Sequence, residues 1–516
     1  DEFLEPPEGA FDYIVIVLYL VGVAVLGILA AGRQQSTADY FLGGHRIPWW
    51  AVLFSVVATE TSTLTFISVP AVAYGGNLTF LQIAFGYIIG RITVALLFLP
   101  AYHEGELSTA YQFLANRFGA SMRNITSTTF MVTRLLADGV RLFATAIPLA
   151  VILRLGGAFT GMTDLQIYVI SIIAIAGITI IYTFIGGIKA VVWMDVIQMT
   201  VYIGGALIAV GILIGGISGG FSGAWQIARE AGKTQFITFG FDLPFREFIA
   251  QPYTFFTALI GGGIFSVASH GTDQLSVQRL LTTRDLKSSR RALIGSGFVI
   301  FIQFGLFLLI GLLLYSFYGG QTPEQLGLAT TDEVFAKFIV EMLPTGLSGL
   351  IVAALFAAAM SSLSSSLNSL ASATSFDLYK PYFGQDNTPE QDLRVSRIIT
   401  IIWGVILTGS AFLFAVLQLN AAGERPAVVE LGLSIASYTY GGLLGAFALG
   451  ILWKKPQRLD AIIGFFAGLI SLLFMVEGPV QNLLPGEGLA IAWPLYTVVG
   501  SAIVVLVGNI SAALRQ

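Results

Sequence analysis

The stretch Phe54-Ser-Val-Val-Ala58-Thr-Glu60-Thr-Ser-Thr-Leu-Thr65-Phe66 decides how the rest of the chain is read. It lies within an apolar segment, 48–75, longer than the roughly 20 residues that cross a bilayer. Inside that segment it sets a carboxylate among a run of hydroxyls. A charge at membrane depth is costly and is kept where it serves a function. Dense Ser and Thr also weaken a continuous helix, and unwound backbone at that depth survives only where it lines a cavity.

A second segment is interrupted in the same way: Gly261-Gly-Gly263-Ile-Phe-Ser266-Val-Ala-Ser-His270-Gly271-Thr-Asp273-Gln274. Its glycine triplet is open to two readings, a broken helix or close helix packing. Glu60 favours the broken-helix reading for the pair.

Composition sets the class. Of 516 residues, 55% are hydrophobic and 11% charged, against about 25% charged in soluble chains. We expect an all-α polytopic membrane protein with thirteen spans: 11–32, 48–75, 79–100, 123–155, 165–186, 189–216, 248–277, 290–318, 332–375, 394–419, 427–453, 458–478 and 489–512. With the leading segment set aside, the interrupted spans are the first and sixth. Matching breaks in two five-helix repeats, 48–216 and 248–453, point to an inverted-repeat transporter with a mid-membrane site. Segment 458–512 adds two trailing spans.

A net charge of −4 gives no footprint for nucleic acid, and zero cysteines exclude disulfides and thiolate metal sites. The acidic segment Asp1–Ala10 does not read as a signal peptide. Basic residues concentrate in alternate connections, among them Arg33, Arg46, Arg117, Arg279, Arg284, Lys380 and Lys454. The opposite set is poorer, chiefly Arg154, Arg229, Lys233, Arg246 and Arg425. The positive-inside rule therefore predicts the N-terminus outside and the C-terminus inside, in what reads as a bacterial inner membrane. Lipid is the expected surround, and no obligate protein partner is implied.

A third stretch, Ala357-Ala-Ala-Met-Ser361-Ser362-Leu-Ser364-Ser365-Ser366-Leu-Asn368-Ser369, puts six serines on an Ala-rich span. Hydroxyls and freed carbonyls would cage a hard monovalent cation, with Asp195 adding a formal charge. The alternative is a tight helix interface with each serine bonded to its own helix. Arg91, Arg134, Asp138 and Arg141 are further charges at membrane depth. The last three share one helix face, either as an internal ion pair or as partners for Glu60 or an anionic solute. Candidate solute-binding residues are Glu60, Ser62, Thr65, Arg134, Arg141, Ser266, Ser269 and Gln274. His270 reads as a hydrogen-bonded interior group.

Further motifs extend the reading. Asp39-Tyr-Phe-Leu-Gly-Gly-His-Arg-Ile-Pro-Trp-Trp-Ala51, Tyr182-Thr-Phe-Ile-Gly-Gly-Ile-Lys-Ala-Val-Val-Trp-Met-Asp-Val-Ile-Gln198, Gly271-Thr-Asp-Gln-Leu-Ser-Val-Gln-Arg279 and Leu449-Gly-Ile-Leu-Trp-Lys-Lys455 occur in this order. Together with the Ser-rich span they resemble the sodium/solute symporter family along nearly the whole chain. The resemblance implies a LeuT-type core of five plus five inverted helices, alternating access and Na⁺ as coupling ion. It implies a sodium site at Ala58, Thr61, Ala358, Ser361 and Ser362, and in some members a second at Asp195, Ser361, Ser364 and Ser365.

The cargo transfers less well. Sugar-carrying members typically have Asn where this chain has Glu60, and the arginine of the sialic acid carrier aligns at Ala137. We therefore expect a sodium-coupled symporter of a small polar organic solute, a carboxylate or amino acid before a sugar. A non-coupled channel and a sensor on a transporter fold are the other classes. No nucleophile–base pair or nucleotide loop suggests an enzyme.

Overall fold

The computed structural model describes residues 10–30, 32, 34–105, 107–155, 161–328, 330–420, 428–475 and 490–515. Asp1–Gly9, Arg33, Arg425 and the ends of the expected spans at 427, 476–478 and 489 lie outside the described residues. Among the described residues there is no strand.

The main helices are α1 (Ala10–Ala30), α2 (Trp49–Glu60), α3 (Thr63–Gly75), α4 (Gln82–Leu97), α5 (Ala120–Leu155), α6 (Asp164–Gly216) and α7 (Gly262–Gly271). They continue as α8 (Gln274–Leu281), α9 (Leu286–Phe317), α10 (Leu347–Ala373), α11 (Pro389–Asn420), α12 (Val428–Leu452), α13 (Arg458–Met475) and α14 (Pro494–Leu514). Among the described residues, nine helices are long and apolar enough to cross a membrane, and ten if α2 and α3 form one bent span. Part of the difference from thirteen is that α6 is one helical run and that α7 and α8 are each too short alone. α5, with 36 residues, is long enough to cross.

The α6 run has 53 residues, about 80 Å if straight, against a hydrocarbon core of about 30 Å. It bends where the sequence predicts two spans. Gly187 there adopts φ 54° and ψ −152°, a conformation that only glycine takes without strain. A Cβ at Gly187 would overlap the carbonyl oxygen and ring of Tyr40. The Tyr40 hydroxyl in turn donates to the Thr183 carbonyl (3.1 Å) and lies 3.3 Å from that of Phe184. It thereby serves acceptors that the bend leaves without helical partners.

α10 is the axis of the bundle. Every residue from Ile351 to Ala373 is buried, so its serines face neither lipid nor bulk water. Its N-cap residue, Gly346, has no side chain to cap the helix, and α1 supplies the cap instead. Asp12 Oδ1 accepts the backbone N–H of Gly346 (2.5 Å) and of Gly349 (2.9 Å), satisfying two donors that an open helix end leaves unpaired. The outer faces of α1 and α11 expose Leu18, Leu29, Val405 and Leu413, as a lipid-facing surface requires.

Outside the bundle, the segment after α6 is laced to the broken helix. Lys233 Nζ donates to the carbonyls of Tyr74 (2.6 Å) and Gly76 (3.0 Å) at the C-terminal end of α3. A cation is favoured at that end of a helix dipole. Partial burial lowers the Lys233 pKa from its usual value.

Candidate solute and ion sites

Two helices stop in mid-course, and both stops face one space. Between α2 and α3 the chain bends by 59°. Thr61 leaves the helix (φ −85°, ψ 91°), and Ser62 restarts it as a capping box with Thr65, each hydroxyl facing the other's backbone N–H. Gln303 of α9 steadies the break by donating to Thr61 Oγ1 (2.5 Å).

Glu60 is the last residue of α2, the end where the helix dipole opposes an anion. Two partners offset this. Arg91 of α4, fully buried, places Nη2 2.5 Å from each carboxylate oxygen and Nη1 2.8 Å from Ser296 Oγ. His270 of α7 meets Glu60 Oε1 through Nε2.

The second break falls at Thr272–Asp273, about two and a half helical turns beyond the glycine triplet. The triplet permits close packing instead. A Cβ at Gly261 would strike Pro494, and one at Gly262 would strike Ile83. Asp273 caps α8 by accepting the Leu275 N–H (2.9 Å). Its other oxygen takes the Tyr440 hydroxyl of α12 (2.6 Å) and Arg134 Nη2 of α5. Arg134 also reaches Tyr440 and, at 3.4 Å, Asp138.

Between the breaks lies a cavity of about 490 Å³, within the size range of small-molecule sites. Of the residues expected to bind solute, Glu60, Ser62, Thr65, Arg134, Arg141 and Ser269 line it. Ser266 does not: its hydroxyl donates to the Tyr87 carbonyl (3.2 Å). Gln274 is likewise turned away, accepting the Ala110 N–H (2.9 Å) and donating to Ser372 Oγ (3.2 Å). The cavity also has an aromatic wall that no sequence motif marks. Phe265 meets the Trp493 ring edge-on with centroids 5.4 Å apart and lies 5.4 Å from Tyr440. Arg141 projects a side chain 28% exposed, paired with Asp138 only at 3.7 Å.

Below the cavity the Ser-rich face of α10 meets Asp195. Ser361 Oγ donates to Asp195 Oδ1 (2.6 Å), and Ser55 Oγ of α2 donates to Oδ2 (2.5 Å). Ser365 Oγ donates to the Ser361 carbonyl (2.6 Å) and lies 3.0 Å from Thr59 Oγ1. Ser364 donates to the same carbonyl (3.1 Å). The remaining expected sodium ligands, Ala58, Thr61, Ala358 and Ser362, are buried. Among the described residues no group hydrogen-bonds the buried Ser362 hydroxyl.

The sequence pattern of the sodium:solute symporter family matches residues 40–468. The chain belongs to that family. It is 30% identical over 514 residues to a sodium/sialic acid symporter of Proteus mirabilis (strain HI4320), covering 98% of this chain and 95% of that one. It is 29% identical over 508 residues to a sodium/sialic acid symporter of Aliivibrio fischeri (strain ATCC 700601 / ES114), covering 98% and 93%. A solved substrate-bound, outward-open Na⁺-coupled sialic acid symporter, whose structure revealed a novel Na⁺ site, superposes with a TM-score of 0.82. That match is 29% identical and covers 98% of both chains.

This sodium/solute symporter is therefore a LeuT-type membrane transporter and not an enzyme, with Na⁺ as the coupling ion and a small organic solute as cargo. Three site features are invisible in the sequence. Arg91 stands out there as an intramembrane charge, but its partner is 31 residues away, a pairing no local pattern encodes. Asp273 sits inside a family-like motif, and its role as cap and ion-pair partner arises only once α5 and α12 are in place. Arg279, which the sequence groups with the inner positive charges, is wholly buried against Asp195.

Proposed function

We propose that the cargo is a small polar solute bearing a carboxylate, bound in the cavity between the two broken helices with Arg141 as its anchor. The observation that carries this is the partly exposed Arg141 guanidinium in a cavity whose other lining arginine is committed. Arg134 is held by Asp273, Asp138 and Tyr440. Glu60 is itself spent on Arg91 and His270, so it offers little to an amine. A guanidinium binds a carboxylate bidentately, and the relatives' sialic acid is an acid of this kind.

In this reading one Na⁺ is held by Ala58, Thr61, Ala358, Ser361 and Ser362, and a second by Asp195, Ser361, Ser364 and Ser365. Residues 48–216 and 248–453 act as the two inverted repeats, which rock to open the cavity alternately to each side. The helices sit in lipid of a bacterial inner membrane, with the N-terminus outside and the C-terminus inside.

The test is uptake into proteoliposomes of labelled sialic acid, monocarboxylates, amino acids and neutral sugars, with and without an inward Na⁺ gradient. A carboxylated solute should accumulate only with the gradient, and Arg141→Ala should raise its half-saturation at least about tenfold, a charge-assisted bond. Uptake of a neutral sugar in preference to every acid, or an Arg141→Ala variant with unchanged half-saturation, would refute the reading.

A further inference from the structure

Arg279 lies on α8, the helix that begins at Gln274 just past the second break, and its guanidinium enters the Asp195 cluster. Nε donates to Ser55 Oγ (2.9 Å), Nη1 to the Leu275 carbonyl (2.8 Å), and Nη2 to Ser365 Oγ and to Asp195 Oδ2 (3.4 Å). Both charged side chains are 0% exposed. The oxygens around this guanidinium include two of those in the second ion set, Asp195 and Ser365.

Charge balance constrains the cluster. With Arg279 in place the Asp195 cluster is neutral. A sodium ion added beside it would leave one uncompensated positive charge in a site closed to water, an arrangement that burial strongly disfavours. A sodium ion that replaces the guanidinium keeps the cluster neutral. We propose that Arg279 is a tethered cation that competes with Na⁺ for Asp195, so that an ion enters this site only as Arg279 withdraws. Because Arg279 is carried on α8, whose cap Asp273 bonds Arg134 beside the cavity, filling the ion site and shifting α8 become one event. Arg279 thus sets the sodium affinity of a site it does not complete.

The proposal rests on reading Asp195 as an ion ligand, and the test separates the two. Thermal unfolding of the purified full-length protein is followed against NaCl, with choline chloride holding ionic strength. Arg279→Gln should reach half-maximal stabilisation at roughly tenfold lower Na⁺ than the unsubstituted protein, because the competitor is gone. Arg279→Lys, which keeps the charge, should stay near the parent value, and Arg279→Gln with Asp195→Asn should lose the gain. If Arg279→Gln does not fold without sodium, the proposal requires that Na⁺ and not choline restores folding. An unchanged or weaker sodium response in Arg279→Gln, or failure of Na⁺ to rescue it, overturns the proposal. If Asp195→Asn alone leaves the sodium response intact, the ion-site reading itself fails.

Discussion

His270 meets Glu60 directly, joining the end of the first broken helix to the second. Its Nδ1 lies 3.0 Å from the Ser266 carbonyl and 2.9 Å from Ser269 Oγ, while Nε2 meets the Glu60 carboxylate. A carbonyl and an ionised carboxylate both only accept. Nε2 therefore donates to the Glu60 carboxylate, and the ring ties the two broken helices together.

Glu60→Gln should therefore be costly. It strands the buried Arg91 charge, at about 3–5 kcal/mol for a broken buried pair. Glu60→Gln combined with Arg91→Met should recover much of that loss. A double-mutant cycle on thermal stability measures this, and a Glu60→Gln protein as stable as its parent would contradict the pairing.

Gly187→Ala should destabilise the fold by about 1–3 kcal/mol from the positive-φ backbone alone, with more from the overlap at Tyr40. Since part of that overlap is with the Tyr40 carbonyl oxygen, Tyr40→Ala should fail to rescue it. Unfolding temperatures of the single and double variants check both points.

Asp12→Ala should cost about 1 kcal/mol, the usual loss for an N-cap, although residue 12 is remote in sequence from the helix it caps. Hydrogen exchange at the amides of Gly346 and Gly349 should speed up, with little change at Ala371. Asp12→Asn, which keeps an acceptor, should be milder.

Ser361→Ala removes the hydroxyl that donates to Asp195 and belongs to both proposed ion sets. Half-saturation of uptake by Na⁺ should rise about tenfold or more. Ser369→Ala, on the same helix but bonded to the Ser366 carbonyl (3.1 Å), should leave it unchanged. Equal sodium curves for the two variants would remove Ser361 from the ion path.

The helical fold is legible in the sequence because burying charge in lipid is expensive, so apolar stretches mark the spans. The first break is legible for the same reason: Glu60 is too costly there without a purpose. The second is located only approximately. Gly261–Gly263 reads as the weak point, but small residues in lipid serve close packing as readily as unwinding. The actual stop, at Thr272–Asp273, is set by Asp273 capping α8 while it bonds Tyr440 and Arg134. Ser266 and Gln274 read as facing the solute because they lie on the interrupted segment. Their orientation depends on Tyr87, Ala110 and Ser372, which only tertiary packing brings near.

The burial of α10 on all sides has a consequence for how its sequence can vary. A helix with one face in lipid tolerates change every three or four residues, and a substitution scan along it rises and falls with the helical period. From Ile351 to Ala373 there is no such permissive face. A scan of α10 should show sensitivity at consecutive positions with no period, whereas the same scan along α1 should oscillate.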